Sequence, residues 1–148
     1  MGFLCKFTVD ELPKIIEQAV EALNTSKEHE LPFIKTELMR IEGEIKNETG
    51  VVSEKKICLN EIAVTRKSSN RIILELYIND ELITETAGDG LLIGTPTGST
   101  AYALSAGGPA VQQDVNSILI VPIAPNSLSF RPICLSESSK IKIRVVFN

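Results

Sequence analysis

Residues 88–109 concentrate most of the backbone freedom of this chain in one place. Their sequence, GDGLLIGTPTGSTAYALSAGGP, holds six of the nine glycines, two prolines, and a run of threonines and serines around one tyrosine. Residues 91–94 predict a buried strand, TPTG predicts a tight turn, and residues 99–106 predict a short helix that ends at Gly107 and Gly108. Such a succession of strand, glycine-rich loop and helix N-terminus lets the backbone approach a ligand closely.

Two interpretations of this stretch follow from its residues. In the functional one, the free N–H groups of the helix N-terminus bind an anion, and Tyr102 packs its flat ring on a base or a ribose. Hydroxyl groups would add donors and acceptors, at Thr95, Thr97, Ser99 and Thr100. In the structural one, the loop is a cramped turn that needs glycine, with an ordinary helix cap. The stretch is neither a Walker loop, since no lysine follows Gly98, nor a G-x-G-x-x-G motif.

An apolar stripe at helical spacing predicts a helix over residues 11–23. The stripe consists of Leu12, Ile15, Ile16, Ala19, Val20 and Leu23. Thr8 stands three residues before Glu11, which is the spacing of a capping box. Asp10 as the cap would instead put Pro13 in the first turn, where its missing N–H costs nothing. We favour Asp10 as the cap.

The rest of the chain alternates between short strand patterns and turn residues. Strand-forming runs cover residues 39–45, 56–66, 71–78, 81–86, 117–125 and 140–147. The pair Asn79-Asp80 predicts a hairpin turn, residues 47–50 predict another turn, and the polar pair Asn60–Glu61 interrupts the second run. Together these patterns predict one mainly β domain over residues 1–148, a β-sandwich or a mixed antiparallel sheet. It would carry one N-terminal helix and one short helix after the glycine- and threonine-rich loop.

Composition and charge narrow the class of partner. The formal net charge is −4, whereas general nucleic-acid binders carry basic patches that displace counterions from phosphates. No apolar run approaches the roughly 20 residues that span a bilayer, so we predict a cytoplasmic protein without nucleic-acid or membrane partners. Cys5, Cys58 and Cys134 are too far apart for a disulfide framework or a zinc cluster, which predicts buried or half-buried free thiols. The lone His29 lies in a polar run and supports no catalytic triad.

Four segments, in chain order, resemble the NAD kinase family, whose members phosphorylate the 2′-hydroxyl of NAD to make NADP. They are GFLCKFTVDEL at residues 2–12, LNEIAVTR at 59–66, DGLLIGTPTGSTAYALSAGGP at 89–109 and PIAPNSLSFRPICL at 122–135. The resemblance extends over nearly the whole chain and rests on a long, specific central motif. It implies the substrate-binding C-terminal β domain of that family.

The resemblance also implies which residues bind the substrate. Asn60 and Glu61 match the family's Asn-Glu pair, which contacts NAD; an amide and a carboxylate suit the edge of adenine and the hydroxyls of ribose. Further positions match residues that line the family's dinucleotide site, partly across a subunit interface: Asp89, Thr100, Ala101, Tyr102 and Ser105. Asn126 stands where many members carry histidine, and asparagine keeps a donor but cannot become a cation.

The remaining parts of such an enzyme are expected elsewhere. In the family, the catalytic aspartate and much of the ATP site belong to a Gly-Gly-Asp-Gly motif in a preceding α/β domain, and Asp89 of AGDG is not that base. We therefore expect no catalytic residue and no metal ligand in residues 1–148. Mg²⁺ would accompany ATP in the whole enzyme and would not bind this part, which alone would lack kinase activity but keep weak affinity for NAD or NADP. A homo-oligomer, dimer or tetramer, is expected.

Two other functions stay open at this point. A non-catalytic module that binds a nucleotide or serves in assembly also accounts for the lack of a Gly-Gly-Asp-Gly motif. A related lipid kinase would have a comparable two-domain plan, but the TPTGSTAY segment and the aromatic content of 5% favour a nucleotide. The phosphoryl donor, ATP or polyphosphate, would be set by the other domain.

Overall fold

The computed structural model of the chain describes residues 7–25 and 36–146. The chain divides into two compact units, Met1–Glu37 and Leu38–Asn148. Four features named above lie outside the described residues: Cys5, His29, the side chain of Leu23, and position 147 of the last predicted strand.

The first unit contains one helix, α1, which spans Leu12–Thr25 and confirms the helix predicted from the apolar stripe. The preference for Asp10 as its cap is wrong. The Glu11 carboxylate accepts hydrogen bonds from the backbone N–H of Thr8 at 2.8 Å and from the Thr8 hydroxyl at 2.7 Å. The capping-box pair prevails because it satisfies a free N–H and binds a carboxylate near the helix N-terminus at once.

The second unit is built from nine described strands and two short helical turns. The strands are β1 (Ile41–Lys46), β2 (Val52–Cys58), β3 (Glu61–Thr65), β4 (Ile72–Ile78), β5 (Glu81–Gly88), β6 (Gly90–Gly94), β7 (Ser117–Ile123), β8 (Ile133–Ser136) and β9 (Ile141–Val146). A 3₁₀ turn, Gly98–Thr100, and a single-turn α-helix, α2 (Tyr102–Ser105), lie between β6 and β7.

These strands form three antiparallel sheets. The largest has the order β3-β6-β7-β8, the second β5-β4-β9, and a separate hairpin pairs β1 with β2. The main core lies between the first two sheets, where Leu74 and Leu76 of β4 meet Leu91 of β6 and Ile120 of β7. This arrangement confirms the predicted mainly β, sandwich-like fold, with sheets that stay open.

The other face of the four-stranded sheet has a cover of its own. Leu92, Leu119 and Val121 form a second buried cluster with Ala103 of α2. Strand β6 is therefore buried at every residue, because one face contacts the opposite sheet and the other lies beneath α2. A strand buried on both faces loses the alternating pattern and appears in sequence as a continuous apolar run, as LLIG does.

Turn residues set the strand connections as predicted. Asn79 and Asp80 have φ angles of 51° and 69° and join β4 to β5, the left-handed pair of a type I′ hairpin. At residues 47–50, the Asn47 side chain accepts hydrogen bonds from the backbone of Thr49 at 3.1 Å and of Val51 at 2.9 Å. Both predicted turns are confirmed.

Three sequence-based expectations need correction. The extended run at 56–66 divides at Asn60 into β2 and β3, which belong to different sheets. The helix predicted over 99–106 is two separate turns with Ala101 between them. Cys134 is exposed rather than buried, whereas Cys58 is half-buried, and both thiols are free.

Candidate functional site

The loop from Thr95 to Gly98 is built on the backbone of the segment before β3. The Thr95 N–H donates to the Asn60 carbonyl at 2.8 Å, and the Thr95 hydroxyl donates to the Leu59 carbonyl at 2.5 Å. The same hydroxyl accepts the Gly98 N–H at 3.1 Å. A Cβ atom at Gly98 would lie 2.0 Å from the Asn60 carbonyl oxygen, so this contact requires glycine. The loop and Asn60 therefore form one fixed unit.

Most hydroxyls of this segment serve the fold itself, which corrects the expectation that they are free for a ligand. Ser99 is fully buried; its hydroxyl donates to the Pro96 carbonyl at 2.6 Å and accepts the Val111 N–H at 2.9 Å. Thr97 is buried as well, whereas Thr100 is exposed. The structural interpretation of this loop thus holds for Thr95 and Ser99.

Gly107 and Gly108 end α2 in the way their spacing predicts. Gly107 has φ of 87° and donates to the Leu104 carbonyl at 3.0 Å, while Gly108 donates to the Ala103 carbonyl at 2.9 Å. This pair of bonds is a Schellman motif, which satisfies the last helix carbonyls. It holds Tyr102 and Ser105, at the two ends of the single turn, next to the sheet.

Asn60 and Glu61 lie at one end of β3, beside this loop. The Asn60 side chain is exposed. Glu61 is half-buried, and its Oε2 atom is buried with no hydrogen-bond partner. Burial raises the pKa of the Glu61 carboxyl above its ordinary value of 4.5. An unpartnered buried carboxylate oxygen is costly, and a ligand that donates a hydrogen bond to it would remove that cost.

One face of β3 continues from this end towards α2. Ala63 stands opposite Leu92 of β6, and Leu92 shares a buried cluster with Ala103 of α2. Because alternate residues of a strand share a face, Glu61, Ala63 and Thr65 point to the side of the sheet that α2 covers. We call this strip the β3 edge; from Glu61 to Thr65 it extends about 14 Å.

An open cavity of about 520 Å³ lies at the other end of the β3 edge. Its lining consists of Thr65, Arg66, Lys67, Ser68, Ser69, Asp89, Tyr102 and Ile123. Two predicted site residues, Asp89 and Tyr102, thus meet in one cavity. The Arg66 Nε donates to Asp89 Oδ1 at 2.7 Å, so the carboxylate at the mouth carries a cationic neighbour.

The other predicted residues occupy surrounding positions. Thr100 and Ser105 are exposed and Ala101 is half-buried around Tyr102. The N–H of Asn126 donates to the Ala87 carbonyl at 2.8 Å, which holds the loop after β7 close to Asp89, and its side chain is exposed. None of these four side chains lines the cavity.

Sequence reasoning missed the segment from Arg66 to Ser69. Arg66 closes the LNEIAVTR motif, but its pairing with Asp89, 23 residues later, is set by the β3–β6 ladder. Local patterns carry no signal for such a pairing. The sequence thus identifies Arg66 as the end of a strand, whereas its place in the site becomes evident from the fold.

The site offers a flat ring, two carboxylates, an amide and two cationic side chains, a set suited to holding a polar ligand. Among residues 7–25 and 36–146, no three His, Cys, Asp or Glu side chains gather in a way that would hold a metal ion. Within the same residues, no helix has the length and apolar character needed to cross a membrane.

Comparison with known proteins assigns the chain to a family. The sequence pattern of the ATP-NAD kinase C-terminal domain matches residues 59–148. The mitochondrial NADH kinase of Schizosaccharomyces pombe is 44% identical over 107 residues, 72% of this chain and 28% of that protein. The NAD kinase of Trichlorobacter lovleyi is 39% identical over 146 residues, 98% of this chain and 48% of that protein.

A solved structure agrees with these sequence matches. The crystal structure of yeast NADH kinase complexed with NADH superposes with a TM-score of 0.84 at 36% identity and covers 97% of this chain and 40% of that one. The chain spans less than half the length of each of these three relatives. It belongs to the ATP-NAD kinase family, in the part that forms the C-terminal domain.

Proposed function

We propose that this chain is the dinucleotide-binding part of an enzyme that transfers a phosphoryl group to the 2′-hydroxyl of NAD and releases NADP. One observation carries the proposal. The β3 edge joins an unpartnered buried carboxylate oxygen on Glu61 to the cavity that contains Asp89 and Tyr102. A dinucleotide has hydrogen-bond donors on its adenine and ribose groups and flat rings that stack on an aromatic side chain.

Each predicted residue has a role in this proposal. Glu61 Oε2 accepts a hydrogen bond from the adenine amine or a ribose hydroxyl, and the exposed amide of Asn60 supplies the complementary donor. Tyr102, which is 46% exposed, offers its ring for stacking. Asp89 accepts from hydroxyls at the cavity mouth. The remaining predicted residues, Thr100, Ala101, Ser105 and Asn126, border the ligand.

The phosphoryl-transfer chemistry belongs, in our proposal, to another domain. The curated relatives are two to four times as long as their matching part, which leaves room for the α/β domain with a Gly-Gly-Asp-Gly motif. That domain would supply the catalytic aspartate and the sites for Mg²⁺ and ATP or polyphosphate. Residues 1–148 alone are expected to bind NAD without phosphorylating it.

Two further expectations stay predictions. A dimer or tetramer would let a neighbouring subunit complete the site. We also expect a cytoplasmic location, with the mitochondrion as the alternative because the Schizosaccharomyces pombe relative bears a mitochondrial name.

Replacing Tyr102 tests the proposal against a matched control. Tyr102→Ala is expected to weaken NAD binding about tenfold, because stacking of a base on an aromatic ring contributes about 1–3 kcal/mol. Leu104 lies on the same helical turn with nearly the same exposure, 47% against 46%, but does not line the cavity. Leu104→Ala should leave the Kd for NAD unchanged. Equal effects of the two substitutions in a calorimetric titration would contradict the proposed site.

A further inference from the structure

Arg66 makes two hydrogen bonds to Asp89 and one to the turn that follows β3. Its Nε donates to Asp89 Oδ1 at 2.7 Å, its Nη1 donates to the Ser68 carbonyl at 2.5 Å, and its backbone N–H donates to the Asp89 carbonyl at 3.0 Å. The guanidinium is thus held at two points, on the carboxylate and on its own turn. A guanidinium held in this way presents its Nε–H to Oδ1 in a defined direction and so orients the carboxylate.

The backbone of Asp89 is fixed on both sides. Its N–H donates to the Ile123 carbonyl at 3.0 Å. A Cβ at Gly88 would lie 2.9 Å from the same carbonyl oxygen, and a Cβ at Gly90 would lie 2.3 Å from the Val64 carbonyl oxygen. Asp89 therefore stands between two close backbone contacts, and its side-chain torsions are the freedom that is left. The hydrogen bond from Arg66 restricts these torsions.

One oxygen of Asp89 stays free for a ligand. Arg66 occupies Oδ1, and no donor among residues 7–25 and 36–146 contacts Oδ2. The side chains of Arg66 and Asp89 keep 35% and 40% of their surface exposed, and both line the cavity beside Tyr102. A carboxylate with one oxygen anchored and the other open suits the hydroxyls of a ribose, which can turn to donate a hydrogen bond to the open oxygen.

We infer that Arg66 is a positioning residue, which holds Asp89 so that Oδ2 accepts a hydrogen bond from a ribose hydroxyl of the dinucleotide. The inference rests on the proposed function. Arg66 does not touch the ligand in this account but acts through Asp89. Its removal should therefore weaken the binding of NAD without changing the rate of the chemical step.

A double-mutant cycle in the full-length protein separates this role from direct contact with the ligand. Asp89→Asn is expected to raise KM for NAD about tenfold, as for the loss of a hydrogen bond to a charged acceptor. Arg66→Ala should raise it about fivefold, with kcat and the KM for ATP within about twofold of wild type. The double variant should be no worse than Asp89→Asn, because the amide nitrogen in the place of Oδ2 cannot accept the hydrogen bond that Arg66 orients.

Controls keep the outcomes distinct. Lys55→Ala removes an exposed ion pair with Glu44, 2.6 Å long, away from the cavity lining, and should leave all constants unchanged. Arg66→Lys keeps the positive charge but cannot bond to both the carboxylate and the turn. It should keep the melting temperature of wild type and still raise KM for NAD. This variant replaces Arg66→Ala in the test if Arg66→Ala is unstable. Additive effects of Arg66→Ala and Asp89→Asn, or an unchanged KM in both Arg66 variants, would overturn the inference. Failure of the wild-type protein to bind NAD would overturn the proposed function with it.

Discussion

At the scale of single residues, Glu61 is the position where the proposed function would conflict with the stability of the fold. Its Oε2 atom is buried without a partner, and burial raises its pKa above 4.5. A side chain chosen for stability alone would not be a carboxylate in this place, because ionisation costs free energy there. The ligand would supply the missing donor. Residues that reduce the stability of the free protein in this way are often found at binding sites.

Replacement of Glu61 by glutamine should make the stability of the protein depend less on pH. The pKa of the Glu61 carboxyl is higher in the folded than in the unfolded protein. Below pH 4.5 the carboxyl is protonated in both states and costs no stability. As the pH rises through the folded pKa, the carboxyl ionises and the wild type loses stability. Glutamine carries no charge, so the variant avoids this loss. Its Tm should exceed that of the wild type above pH 4.5, by about 1–3 °C near neutrality. Thermal unfolding of both proteins between acid and neutral pH checks this. An advantage that shrinks with rising pH would contradict it.

The same variant should bind NAD more weakly, by about tenfold, because a hydrogen bond to an ionised acceptor is stronger than one to an amide. Stability and affinity would then move in opposite directions, and a calorimetric titration beside the unfolding curves would measure both. A Glu61→Gln protein that is less stable and binds NAD normally would assign this residue a purely structural role.

At the scale of elements, the turn from Thr95 to Gly98 fixes the site through its own hydrogen bonds. Thr95 contacts the backbone of Leu59 and Asn60, and Ser99 connects Pro96 to Val111. These contacts order the turn before any ligand arrives. A preordered site loses less entropy on binding, which favours affinity.

Gly98 in this turn and Gly94 at the end of β6 give a matched pair of substitutions. Gly98→Ala puts a Cβ 2.0 Å from the Asn60 carbonyl oxygen, whereas the nearest atom to a Cβ at Gly94 is 3.6 Å away, an ordinary contact. Gly98→Ala should therefore destabilise the protein by about 2–3 kcal/mol, and Gly94→Ala by less than about 1 kcal/mol. Urea denaturation compares them. Similar midpoints for the two variants would contradict the close approach of the turn to Asn60.

The sequence predicted the elements better than their interruptions. Period-two patterns and turn residues located most of the strands, because sheet faces and hairpin dihedrals depend on local residue types; β8 was not predicted. The break at Ala101 was missed because the apolar and small residues of 99–106 suit a helix, whereas burial of Ser99 and its bonds to Val111 impose a different path. The interruption at Asn60–Glu61 was predicted, but the separation of β2 and β3 into different sheets was not, because it depends on which strands each half pairs with.

The residues of the site could likewise be predicted where a local motif marks them, and could not where a contact between distant residues places them. The resemblance marked Asp89 and Tyr102, which the structure brings together in one cavity. Arg66 was not marked, because its contact with Asp89 spans 23 residues. Contacts between residues far apart in sequence depend on strand order, here on β3 lying beside β6. A local sequence pattern does not predict them.

At the scale of the whole molecule, the four-stranded sheet separates two tasks. One face packs on the β5-β4-β9 sheet and supplies the main core. The other face carries α2, the turn before it and the β3 edge, where the proposed ligand lies. Stability thus depends mainly on the face that packs on the β5-β4-β9 sheet, whereas the proposed binding site lies on the other face. Substitutions at the β3 edge can therefore change affinity while the core stays intact.

The most direct test of this account is an NMR titration of the chain with NAD, followed by backbone and side-chain chemical shifts. The account predicts saturable shift changes that cluster at the two ends of the β3 edge, at Asn60, Glu61, Asp89 and Tyr102. The outer face of the β5-β4-β9 sheet should stay unperturbed. Saturable changes centred on that outer face, or no changes at NAD concentrations that saturate the full-length enzyme, would contradict it.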